Sequence, residues 1–85
     1  MRELVRRRQY VMTTHADEEA DEASLRVLDI ESVILTGAIV ERQRDRETHE
    51  WKYVVRGQVL SDRDAIVVAK FGLLGSLYIL TVYED

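Results

Sequence analysis

The run "AIVVAKFGLLGSLYILTVY", Ala65 to Tyr83, sets the tightest limit on the fold. It is about long enough for a membrane span, yet Lys70, Gly72, Gly75 and Ser76 interrupt it. Its two halves are β-branched and aromatic, and "GLLGS" between them has the composition of a tight turn. Two strands account for it better than one span. Both are apolar on both faces, so they belong at the centre of a sheet. No membrane association is expected, and no apolar stretch follows "MRELVRRRQY" as a secretory leader would require.

The rest of the 85 residues must therefore cover and extend that sheet. A chain of this size forms one domain with a modest core, which dimerisation would support. The N-terminal residues 1–8 are basic, a segment either flexible or helical. "QYVMTT" reads as a first strand. Thr14-x-x-Asp17 then fits the pattern in which a hydroxyl caps a helix, and Asp17, Glu18 and Glu19 suit the positive end of its dipole.

Ala16, Ala20, Ala23, Val27, Ile30 and Ile34 recur at spacings of 4, 3, 4, 3 and 4, one helical face running from small to bulky residues. It is either one helix or two, with Ser24 as the second cap and Gly37 as the stop. "AIVERQR" (Ala38–Arg44) and "WKYVVRG" (Trp51–Gly57) make a hairpin around "DRETHE". Trp51, Tyr53 and Val55 should face one way, and Lys52, Val54 and Arg56 the other. The expected fold is α+β: one strand, one or two helices, then a four-stranded antiparallel run, with the helices on one face of a curled sheet.

Composition narrows the chemistry. The absence of cysteine removes disulfides, thiol nucleophiles and cysteine-ligated metals. His15 and Glu19 have i, i+4 spacing, but one such pair is a weak metal signal, and no cofactor is expected. Gly72-x-x-Gly75 lacks the lysine of a phosphate loop. The net charge of −4 argues against broad nucleic-acid affinity, although arginines gather at both the N-terminus and the hairpin.

Some groups remain for chemistry. His15 sits at a strand-to-helix junction among five carboxylates, where it is either an acid/base group or a hydrogen-bonding residue of the helix start. Lys52 and Arg56 share a strand face, and Arg42 lies opposite on the paired strand, a set that reads as a phosphate patch or as a solvated face making cross-strand ion pairs. Tyr83 either supports a phosphate or covers the core edge. His49 reads as surface, and Trp51 and Tyr53 as sheet-face aromatics.

"HA" after the first strand, "DIESVILTG" followed by "IVERQRD", then "EWKYVVRG" and a terminal "TVY" together resemble the domain of unknown function 4258 family. The frame covers about Met12 to Tyr83. The resemblance implies a small α+β protein related to RelE/BrnT-type toxins, with a zinc-finger antitoxin as partner and mRNA as substrate. The family positions that carry over are His15, Ala16, Gly37, Glu41, Tyr53, Thr81, Val82 and Tyr83. Many relatives carry arginine where this chain has Glu19, which sets an anion beside the histidine.

Two functions follow as expectations. In the first, a cytoplasmic toxin-like, metal-independent endoribonuclease uses His15, Lys52, Arg56 and Tyr83 in catalysis and Arg42 and Arg44 on RNA. In the second, a non-catalytic and homo-oligomeric interaction domain binds a protein through a sheet edge or its acidic helix.

Overall fold

A computed structural model describes all residues, 1–85. Its elements in chain order are α1 (Arg2–Arg6), β1 (Tyr10–Met12), α2 (Thr14–Glu22), α3 (Val27–Thr36), β2 (Ala38–Arg44), β3 (Trp51–Gln58), β4 (Asp64–Phe71) and β5 (Leu77–Glu84), with a 3₁₀ turn at Leu73–Gly75. The five strands form one open sheet in the order β1-β5-β4-β3-β2. β2 to β5 are antiparallel neighbours, and β1 joins β5 in parallel, with Tyr10 opposite Leu77. The α+β class, the antiparallel run and the helices on one face all hold. The apolar run from Ala65 is β4, the 3₁₀ turn and β5, with β4 in the middle of the sheet, and no helix is long and apolar enough to cross a membrane.

The basic N-terminal segment is helical over Arg2–Arg6 and buries Val5. α2 and α3 are separate helices, and the residues that divide them differ from the caps expected. Thr13, not Thr14, caps α2, its hydroxyl accepting from Ala16 N at 3.2 Å. Ser24 does not cap α3. It has φ of +58° and closes α2, with Leu25 N donating to Ala20 O at 2.8 Å, the wrap that a left-handed residue after a helix permits. α3 starts instead at Arg26, whose backbone N–H is taken by Asp29 Oδ2 at 2.9 Å.

The helical layer covers one face of the sheet, α2 over β5 and α3 over β3 and β4. Ala16 and Ala20 are buried, and their small side chains let α2 lie close to β5. Ile30, Val33 and Ile34 meet Val55, Val67, Leu77 and Ile79 in a single core. Where α3 runs into β2 the backbones touch: a Cβ on Gly57 would stand 2.3 Å from Val33 O, and one on Gly37 2.3 Å from Arg56 O. Gly37 has φ of −91°, so it is glycine for proximity and not for a left-handed turn.

The other face carries no helix. Along it the register aligns Lys52 with Lys70 and Tyr78, Val54 with Val68 and Thr81, and Arg56 with Ile66 and Tyr83. Val54 and Ile66 are nonetheless buried.

Candidate functional site

Three of the four residues expected to act together in catalysis rise from the uncovered face, where carboxylates occupy both cations. Lys52 Nζ lies 3.7 Å from Asp45 Oδ2. Arg56 Nη2 lies 3.0 Å from Asp64 and 2.7 Å from Asp85. Lys70, which sequence reasoning passed over, takes Glu50 at 2.8 Å. These are the ion pairs of a solvated face, with Asp45, Asp64, Asp85 and Glu50 as the acids. Tyr83 stands in the same cross-strand row as Arg56, separated from it by Ile66, and is half exposed.

His15 belongs to the helical layer instead. Its side chain is 68% exposed, and Nε2 lies 3.2 Å from Glu19 Oε1. That same oxygen accepts the backbone N–H of Val82 at 3.2 Å. β1 ends its pairing with β5 at Ile79, so Glu19 satisfies a donor that the short edge strand leaves open. The glutamate that looked like a lost cation is a sheet-edge cap. Two ligands do not make a metal centre, and no group of three metal-ligating side chains exists anywhere in the chain.

The expectation that Arg42 joins Lys52 and Arg56 fails, for a reason local to β2. Ile39 pairs with Val55, but Glu41 and not Val40 pairs with Val54. This bulge at Val40 adds one residue to β2, so Arg42 falls opposite Tyr53 and Arg44 opposite Trp51. Without it Arg42 would pair with Lys52. Both arginines thus turn to the side of the sheet that bears Val55 and the helices, beyond the end that α3 covers.

There they meet an aromatic group. The Arg42 guanidinium carbon lies 5.2 Å from the Trp51 ring centroid and that of Arg44 5.5 Å, both within cation–π range. Trp51 is 42% exposed, and Tyr53 packs edge-on against Phe71 at 5.9 Å beside it. Neither arginine has a carboxylate within 4.0 Å. Sequence reasoning treated Trp51 as a sheet-face aromatic. The signal for its role was present in the hairpin, because closing it on the turn at 45–50 sets Arg44 against Trp51.

The remaining perturbed groups serve the scaffold. Burial, then its hydrogen bond to Glu31, pushes the Tyr10 phenol well above its ordinary range. Backbone N–H donors from Arg26 and Leu60 hold the Asp29 carboxyl below the usual range, and those of Thr48 and Glu47 do the same to Asp45. Asp29 thereby ties the start of α3 to the β3–β4 loop.

The family model for a domain of unknown function, DUF4258, matches residues 12–84. No curated protein and no solved structure matches the chain. The chain belongs to the DUF4258 family.

Proposed function

We propose that this chain engages single-stranded RNA as the toxin-like member of a toxin–antitoxin pair. One observation carries the reading: an exposed tryptophan beside two guanidiniums that no carboxylate neutralises. A base stacks on such an aromatic face for about 1–3 kcal/mol, whatever its identity, while the arginines meet the phosphates on either side. The uncovered face offers cations too, but each is held by an acid.

Binding is better supported than cleavage. A metal-free ribonuclease sets a cation beside the group that moves the proton, whereas the charged partner of His15 is the Glu19 carboxylate. Anisotropy titration of a labelled RNA oligomer tests binding, which should weaken about tenfold for Arg42→Gln; affinity equal to wild type removes the site. RNA cleavage in EDTA by wild type and not by His15→Ala would extend the reading to catalysis. A neighbouring gene encoding a short protein with paired CxxC motifs supports the antitoxin half of the reading.

A protein-interaction domain is the second reading, favoured by Leu73 and Leu74, which are 92% and 103% exposed on a turn where Leu74 has φ of +69°. A monomer rarely presents two such side chains together. Under this reading Leu73→Asp with Leu74→Asp abolishes self-association or partner capture in size-exclusion chromatography, and an unchanged profile counts against it.

A further inference from the structure

Beside Trp51 the β2–β3 turn forms a shallow cleft lined by Arg44, Asp45, Arg46 and His49. The turn is built, not loose. Asp45 Oδ1 accepts the N–H of Glu47 at 2.8 Å and of Thr48 at 3.0 Å, while His49 N donates to Asp45 O at 3.0 Å and Asp45 N to Glu50 O at 2.9 Å. His49 itself is held at φ of +61°, a conformation that costs a residue with a side chain about 1 kcal/mol or more. The one carboxylate of the cleft is already engaged, by those two amides and by Lys52. Arg46, like Arg44, has no acid within 4.0 Å. Glu47, on the same turn, has no cationic partner and would oppose an anion.

We infer that this turn is the phosphate-binding part of the interface, with Arg44, Arg46 and His49 around one phosphate and Trp51 stacking the adjoining base. The ligand is a base-plus-phosphate unit of single-stranded RNA, an assignment that rests on the RNA reading above. Arg44 serves both halves, reaching over the ring of Trp51 while lining the cleft. The geometry therefore reads a stacked base and its own phosphate together, a requirement that neither a bare anion nor a bare nucleoside meets.

Trp51 is the only tryptophan in the chain, so its fluorescence reports on the site directly. The full chain is titrated with an adenylate decamer, AMP, adenosine, inorganic phosphate and polyglutamate. The decamer should quench Trp51 most tightly and adenosine weakly. The double variant Arg46→Ala with His49→Ala should bind the decamer about tenfold more weakly, with a salt slope smaller by about 0.7, and bind adenosine unchanged. Glu47→Gln should tighten decamer binding. A double variant matching wild type in affinity and slope overturns the phosphate site and leaves the RNA reading standing. A wild-type chain that binds no RNA overturns both, as does quenching by polyglutamate alone. AMP binding as tightly as the decamer keeps the site and makes a free nucleotide its ligand.

Discussion

The two faces of the sheet carry similar numbers of cations and treat them in opposite ways. On the uncovered face Lys52, Arg56 and Lys70 each meet a carboxylate. On the side that bears the helices, Arg42 and Arg44 lie past the end of α3 beside Trp51, neither of them in an ion pair. Exposed ion pairs contribute roughly 0–1 kcal/mol each, so the first set adds little to stability. The second set has no carboxylate within 4.0 Å to neutralise it. Counting basic residues does not separate the two; pairing register and the positions of the acids do.

The largest effect that tests this contrast is on stability. Ile79→Ala, beneath α2 and fully buried, should cost about 4 kcal/mol in urea denaturation. Ile66→Ala, on the face without a helix and flanked by Arg56 and Tyr83, should cost about half as much, because solvent and its neighbours fill the gap. Equal costs would mean that the uncovered face is a second closed core.

Next in size is RNA affinity. Exchanging Arg42 and Gln43 (Arg42→Gln with Gln43→Arg) keeps the composition and moves one charge to the face of Lys52, since Gln43 pairs with Lys52. Affinity should fall about tenfold, as for one lost contact in a charged groove. Retained affinity would show that net charge and not the Trp51 cluster binds RNA. Arg56→Gln, by contrast, should leave RNA affinity within about twofold and cost about 0.5 kcal/mol of stability, its ion pairs being half exposed.

The smallest effects appear in the pH profile. Asp29 and Asp45 have lowered pKa values in the fold, so their contribution is present above the ordinary aspartate range near pH 4 and is lost as pH falls through their folded values. Tyr10 is raised, so its contribution holds below about pH 10 and is lost as pH climbs toward the folded value. Asp29→Asn should flatten the acid limb and Tyr10→Phe the alkaline limb of a stability profile; unaltered limbs would detach those groups from stability.

Much of this was legible from residue order. Apolar runs and the alanine-to-isoleucine helical face specify the layers, and strand alternation separates Tyr53 from Lys52 correctly. The site was less legible, because its assembly turns on single residues. One bulged valine decides which face Arg42 occupies, a local departure from pairing that period-two reasoning does not contain. Helix caps slipped by a residue or two for a similar reason: Thr13 and Thr14 are chemically alike, and only Ala16 N distinguishes them. The partners of the cations were hidden as well, since Asp64 reaches Arg56 through the β3–β4 pairing, and Asp85 through its contact with Asp64 at the end of β5, not through local sequence.

The parallel pairing of β1 with β5 also bears on the order in which the chain assembles. Each of the contacts β2–β3, β3–β4 and β4–β5 joins neighbours in sequence, whereas Tyr10 must find Leu77 across nearly the whole chain. Loop closure over that span is the costliest step in entropy, and β1 offers only three residues in return. The hairpins, with the Arg42–Trp51 cluster already formed, can therefore precede docking of the N-terminal strand. Pulse-labelled hydrogen exchange during refolding should find the amides of β1 protected last, and early protection there would reverse the order. Until that docking occurs, the β5 edge that Glu19 later helps to close stands open, and the chain is at its most vulnerable to strand-to-strand aggregation.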